Sequence, residues 1–257
     1  MKFIVKGKTF ENGTRVMGIL NANTTSFFGF SRIDGDEVTK AEKMLRDGAE
    51  IIDIGGQSTA PGAVKESALE EASRVLPVLE TLRAEFPNAI LSVDTFYSSV
   101  AEEALSLGAD MINDVSCLGD NYMAEVVAKY GASICVMHNR RGSKNKDMWL
   151  DKELGLMKAT DTLLRAGVDK NKIILDGGIG FNLSHIEDKE LLERYNRLDD
   201  LGYPLLLGAS RKSFLGGEVE ERLTATLDTT KLAVKQGVLF VRVHDVKENK
   251  MIIDLYS

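Results

Sequence analysis

The sequence predicts an α/β fold, a single (β/α)₈ TIM barrel with a short N-terminal β-hairpin, and three observations carry that expectation. Short apolar runs alternate with segments of helical periodicity eight times along the chain, and such alternation folds as right-handed parallel βαβ units. Glycine stands just past the helical segments at Gly48, Gly108, Gly131, Gly167, Gly202 and Gly237, where a helix ends on a left-handed residue. The apolar runs stop on polar or ionisable side chains, at the C-terminal strand ends where parallel-sheet enzymes place their chemistry. An open doubly wound sheet is the competing arrangement. Eight units in 257 residues match the usual barrel size of about 250. With no low-complexity segment and no proline-rich linker, residues 1–257 read as one domain, 1–15 a hairpin and 16–257 the barrel.

Each element has its own signal. Residues 1–15 alternate apolar and polar, with a turn expected at Asn12-Gly13. The first barrel strand is VMGIL (16–20), ending on Asn21. A helix over Lys40–Gly48 places Ala41, Met44 and Leu45 on one face. The second strand, IIDI (51–54), ends in Gly55-Gly56-Gln57-Ser58, and a helix spans Glu66–Phe86 with Leu69, Ala72, Val75, Leu76, Leu79 and Leu82 in step. Ile90–Val93 ends on Asp94 before a helix at 98–107, and Met111-Ile112 on Asn113 before one at 121–130. Ser133–Met137 ends on His138 before a helix at 148–166, in which Met148 and Trp149 pack beneath the first turn. Ile173–Leu175 ends on Asp176 before a helix at 189–201, with His185 in the loop between. The run YPLLLGASRKSF (203–214), bounded by Pro204 and Gly208, stops on Ser210-Arg211-Lys212-Ser213, and a helix follows at 220–236. The last strand, LFVRVH (239–244), carries Arg242 and His244 ahead of a helix from Lys247.

Composition limits the function. The chain is 44% hydrophobic and 28% charged, as a soluble protein with a large core would be. A net charge of −7 argues against nucleic acid or an anionic membrane as partner, so any anion must meet a local cluster of cations. Cys117 and Cys135 lie in apolar stretches and read as free thiols, fitting a reducing compartment. No apolar run reaches membrane-spanning length and Met1-Lys2-Phe3 opens no signal-like segment, so a cytoplasmic location is expected.

In a barrel the strand ends converge on one mouth. Turn preference accounts for an occasional Asn or Ser there; it accounts poorly for Asp94, Asp176, Lys212, Arg242 and His244 together, since each is costly to desolvate without a partner. Lys212, Arg242 and His244 could hold a phosphate or diphosphate. Asp94, Asn113 and Asp176 suit a flat heterocycle with an amino-pyrimidinone edge. A three-histidine metal site and a nucleophilic serine have no supporting spacing. The basic run Arg140-Arg141-Gly142-Ser143-Lys144 reads as a solvated loop.

The segments VMGILN (16–21), EIIDIGGQSTAPGA (50–63), LSVDT (91–95), INDVS (112–116), VMH (136–138), ILDGGIGF (174–181), LLLGASRKSFLG (205–216) and VRVHDVKE (241–248) resemble, in order and over nearly the whole chain, the dihydropteroate synthase family. That resemblance implies a cytoplasmic transferase of folate biosynthesis that condenses 6-hydroxymethyl-7,8-dihydropterin diphosphate with p-aminobenzoate, releasing diphosphate, in competition with sulfonamides. It implies that Asp94, Asn113, Asp176 and Lys212 hold the pterin, and that Asn21, Arg242 and His244 hold the diphosphate, with Mg²⁺ near Asn21. It places Phe181, Pro61, Lys212 and Ser213 around the aminobenzoate, gives Asp94, Lys212, Arg242 and His244 the catalytic work, and implies a homodimer built on late helices.

The chain departs from the family pattern in its loops. Residues 21–27 (NANTTSF) lack a Pro and an Asp. Gln57 stands for Glu, Ala60 for Arg, and Asp176-Gly177 for Asp-Pro, and no Gly-Lys follows Phe181. Three readings stay open: a working synthase with rebuilt loops, a pterin-binding paralogue without synthase activity, and a pterin- or folate-dependent methyl-transfer or carrier protein. Arg242 and His244 favour a diphosphate substrate over the last.

Overall fold

The computed structural model describes residues 1–22, 36–57, 66–140, 142–143 and 145–257. Strands β1 (Phe3–Val5) and β2 (Lys8–Phe10) form the N-terminal hairpin, with Phe3 opposite Phe10. Its turn is Lys6-Gly7, not Asn12-Gly13. Both turn residues are left-handed, with φ of 49° and 73°, as a tight two-residue hairpin loop requires. This register points Phe3, Val5 and Phe10 to one side, where they are buried against Phe240. The Phe240 ring meets Phe3 and Phe10 edge-on, at centroid distances of 6.0 and 5.1 Å.

Eight parallel strands close the barrel: β3 (Arg15–Asn21), β4 (Ala49–Gly55), β5 (Ile90–Asp94), β6 (Met111–Asp114), β7 (Ser133–Met137), β8 (Ile173–Asp176), β9 (Leu205–Leu207) and β10 (Phe240–Val243). They pair in chain order, and β10 closes on β3. Helices α1 (Asp36–Arg46), α2 (Ala68–Glu85), α3 (Ser98–Ser106), α4 (Met123–Tyr130), α5 (Met148–Ala166), α6 (His185–Glu193), α7 (Leu223–Lys235) and α8 (Val246–Tyr256) surround it. Alternate residues of each strand serve two cores. Ile52, Ile54, Leu91, Val93, Ile112, Ile134, Leu175 and Val241 pack outward under the helices. Met17, Ile51, Ile90, Met111, Cys135, Ile174, Leu206 and Phe240 fill the lower interior. Burial on both faces is why the strands read as nearly continuous apolar runs.

The helical segment before β9 differs from expectation. The stretch expected to be one helix over 189–201 begins earlier, at His185, because Ser184 and Glu187 form a reciprocal capping box. It then tightens into a 3₁₀ segment, Tyr195–Leu201, which turns Tyr195 and Leu198 inward. His185 is thus the exposed first residue of a helix. Helix α5 has the expected bounds, and Trp149 is buried in its first turn, with its indole N–H donating to Glu190 Oε1 at 2.8 Å.

Phe240 is the ring on which the hairpin seals the bottom of the barrel. Phe240→Ala is expected to cost about 3–5 kcal/mol, read as a lowered urea midpoint with an unchanged slope.

Candidate active site

The apolar lower interior gives way, one layer up, to charge. Strand pairing sets Asp53 beside Ser92 and Asp94 beside Asn113, and β10 projects Arg242 into the same layer. Arg242 Nε donates to Asp53 Oδ2 at 2.6 Å, and its Nη2 to Asp94 Oδ2 at 2.6 Å. Asn113 Nδ2 donates to the same Asp53 oxygen at 3.0 Å. Burial lowers the Arg242 pKa, but the Asp53 and Asp94 charges outweigh it and hold the guanidinium above its usual range. Burial pushes the Asp94 carboxyl up to about 7; Arg242 opposes this, and Asp53 and Glu71 add to it. Asp53 Oδ1, Asp94 Oδ1 and Ser92 Oγ are buried without a hydrogen-bond partner, so the layer still has acceptor capacity for a ligand's N–H groups.

Above it opens a cavity of about 710 Å³ at the C-terminal ends of the strands, in the size range of small-molecule sites. Its wall takes Asn21 from β3, Gly55 and Gln57 after β4, Asp94 from β5, Phe181 after β8, Ser210 to Ser213 after β9, and Arg242 and His244 from β10. Asn113 and Asp176 lie deeper and are nearly closed off. Asp176 Oδ2 is directed toward Gly208 in the cavity wall, 3.4 Å from where a Cβ there would stand. Lys212 donates to the Ile179 carbonyl, and its Nζ stands 4.1 Å from the centre of the Phe181 ring. Burial lowers its pKa to about 8, against the opposing charge of Asp176. Ser210 Oγ lies 3.0 Å from His244 Nδ1. His244 is an exposed residue of the rim, and partial desolvation of its ring together with the Arg242 and Arg211 charges pushes it down to about 4.

The residues singled out in the sequence are therefore gathered here, with three qualifications. His138, at the end of β7, does not join them. Its ring lies over Gly155 of α5, where a Cβ would come within 2.2 Å of it, and it lines a separate cavity of about 330 Å³ between the β6 and β7 loops and α5. Arg242 is not a free anion receptor, because two of its nitrogens are engaged by carboxylates. Pro61 lies outside the described residues, as do Ala60 and the altered stretch 23–27. Of the basic loop, Arg140 is engaged by Asp151 and Glu187.

Several contributors escaped the sequence reading. Asp53 was read only as part of an apolar run; a carboxylate inside a buried strand was the available signal, since it demands a buried cation. Arg211 forms a two-point pair with Asp245, at 2.9 and 2.6 Å. Arg222 donates to the carbonyls of Arg211, Gly216 and Gly217, fastening the loop that carries Lys212 and Ser213. Gln57, in place of Glu, donates its amide to Glu71; a second carboxylate there would face a like charge. Among the described residues no group of three or more His, Cys, Asp or Glu side chains is arranged to hold a metal.

Residues 17–244 match the family model described as pterin binding enzyme. The dihydropteroate synthase of Clostridium beijerinckii is 40% identical over 255 residues, covering 95% of this chain and 94% of that one. The structure of dihydropteroate synthase from Clostridium difficile in the presence of pteroic acid superposes with a TM-score of 0.90 at 41% identity, covering 96% of this chain and 97% of that one. The Xanthomonas albilineans enzyme with 4-aminobenzoic acid superposes with a TM-score of 0.90 at 32% identity, over 99% of this chain and 96% of that one. On the match to the family model and on this agreement in sequence and backbone, the chain belongs to the pterin-binding enzymes, among the dihydropteroate synthases.

Proposed function

We propose that the chain is a working dihydropteroate synthase, a transferase of folate biosynthesis that joins p-aminobenzoate to 6-hydroxymethyl-7,8-dihydropterin diphosphate. The observation that carries this reading is the layering of one cavity, with buried carboxylates, an amide and an ammonium below and an amide, a hydroxyl and an imidazole toward the rim. A flat ring with an amino-pyrimidinone edge suits the lower layer. Asp176 and Asn113 meet its donors and acceptors, Lys212 meets its carbonyl, and Asp94 Oδ1 lies within the same layer. The charged tail extends to Asn21, Ser210 and His244. The neutral His244 donates or accepts without adding a charge.

The chemistry needs no covalent enzyme intermediate. The bond between the ring's methylene carbon and the diphosphate oxygen breaks, and the electron pair leaves with diphosphate. The cationic methylene is stabilised by the electron-rich ring and by Asp94. The arylamine nitrogen attacks from the side of Phe181 and Ser213 and then loses its proton, so the products are dihydropteroate and diphosphate. Pro61 is proposed to border the aminobenzoate as well. Arg242 keeps the Asp94 carboxylate in place and adds positive potential near the departing oxygen.

Mg²⁺ fits this site only in part. Asn21 offers a single neutral oxygen, and Mg²⁺ ordinarily takes one or two carboxylates together with substrate phosphates. We therefore propose Asn21 as one protein ligand, with diphosphate and water supplying the rest; the ion would neutralise charge on the leaving group. One domain over 1–257, a cytoplasmic location and a homodimer complete the proposal. The exposed Met251 and Leu255 on α8 support self-association through that helix, and sedimentation reads the mass directly. No helix among the described residues is long and apolar enough to cross a membrane.

Diphosphate release from the pterin substrate should require p-aminobenzoate; pterin binding without turnover at any aminobenzoate concentration would establish a paralogue that has lost the reaction. Affinity for the pterin ring should fall as pH rises through about 8, because Lys212 then loses the proton it presents to the ring carbonyl. Calorimetry from roughly pH 6.5 to 9.5 reads this, and a flat profile would remove Lys212 from that role. In the same instrument Mg²⁺ should bind when diphosphate is present and give no heat alone.

A further inference from the structure

Behind Asp176, both backbone groups of Gly177 are held by buried side chains from distant parts of the chain. The Gly177 N–H donates to the Tyr195 hydroxyl at 2.7 Å. The Gly177 carbonyl accepts from Lys152 Nζ, on α5, at 2.5 Å. Tyr195 OH also lies 3.0 Å from Asp176 Oδ1 and 2.6 Å from the Leu206 carbonyl, and the Gly178 N–H donates to the same Asp176 oxygen at 2.7 Å. Lys152 is 0% exposed and Tyr195 1%, and neither lines the cavity.

These two side chains are hard to explain as packing. A leucine or phenylalanine would fill either position without desolvating a charge or a hydroxyl, and burying an ammonium is costly. Burial lowers the Lys152 pKa to about 8, and the charges of Asp176 and Asp188 favour its protonated form. Glycine at 177, unlike proline, carries an N–H that must be satisfied once buried; Tyr195 satisfies it and turns toward Asp176 in doing so. Gly178, at φ 70°, leaves no room for adjustment, since a Cβ there would stand 2.0 Å from the His138 carbonyl oxygen. The turn is thus clamped on three sides. Asp176 Oδ1 accepts from the Gly178 N–H and lies beside the Tyr195 hydroxyl, whose single proton is shared between it and the nearer Leu206 carbonyl, while Oδ2 is left toward the cavity.

We propose that Tyr195 and Lys152 are positioning residues for substrate recognition: together they fix the turn after β8 so that the Asp176 carboxylate offers Oδ2 to the N–H edge of a flat heterocycle. This rests on the reading above that Asp176 grips the ring. The role is confined to the ring and leaves the charged tail alone, because neither residue lines the cavity that carries Asn21, Ser210 and His244.

The test uses the full chain and two separate probes in calorimetry, 6-hydroxymethylpterin for the ring and inorganic diphosphate for the tail. Tyr195→Phe, which keeps the volume and removes the hydroxyl that accepts from the Gly177 N–H, should weaken ring binding about tenfold, as expected when a buried donor loses its partner, and leave diphosphate affinity within twofold. Lys152→Met should shift the ring in the same direction and likewise spare diphosphate. Equal weakening of both probes would mean general softening of the barrel and would overturn the proposal; so would ring affinity unchanged in both variants while Asp176→Asn weakens it. If Asp176→Asn itself leaves ring affinity unchanged, the reading of the site fails instead. Should Tyr195→Phe not fold, Lys152→Met decides between the same outcomes.

Discussion

A guanidinium held between two carboxylates inside a closed barrel is the interaction on which the rest of this site depends. Arg242, Asp53 and Asp94 come from β10, β4 and β5, so their pairing ties together three strands at the level where the apolar interior ends. None of the three could be buried alone, because desolvating an isolated charge costs several kcal/mol even after relaxation. Buried together they form a rigid polar floor, and Asn113 joins it through Asp53. The guanidinium charge is largely spent within this floor, so a charged tail at the rim depends on local donors more than on net charge.

The barrel decides which strand ends take part. The cavity draws on β3, β4, β5, β8, β9 and β10, while β6 contributes from below through Asn113. The end of β7 is diverted. Gly155, in the middle of α5, leaves a gap that the His138 ring fills, and burial together with the Lys152 charge lowers that imidazole to about 4. A neutral, packed histidine there is a structural element of the barrel wall. Loop closure is managed by backbone-directed cations in the same spirit. Arg222 holds the loop after β9 by its carbonyls, and Lys152 holds the turn after β8. Arg222 does so from the cavity wall, and Lys152 from behind it.

Much of this was legible in the chain. The eight alternations, the glycines past the helices and the polar strand ends announced a barrel with one functional mouth, because short apolar runs, period-3.6 burial patterns and turn chemistry are local properties. Asp94, Asn113, Asp176, Lys212, Arg242 and His244 could be picked out for the same reason, each ending an apolar run. The hairpin turn was misplaced because Asn12-Gly13 is the stronger local turn signal. Lys6-Gly7 prevails because only that register sends Phe3, Val5 and Phe10 together onto Phe240. His138 looked equivalent to the other strand-end residues, and a glycine seventeen positions later sent it elsewhere.

Local sequence was enough for the fold class, the order of elements and the set of ionisable groups at the strand ends, since these follow from the nearest few residues. The pairing of those groups was decided only in three dimensions. Asp53 and Arg242 are 189 positions apart, and Tyr195 and Lys152 meet at Gly177 from different helical segments. Barrel closure and register set such meetings, and whether a charge is free for a ligand or already engaged depends on which partner the closed sheet brings within about 3 Å.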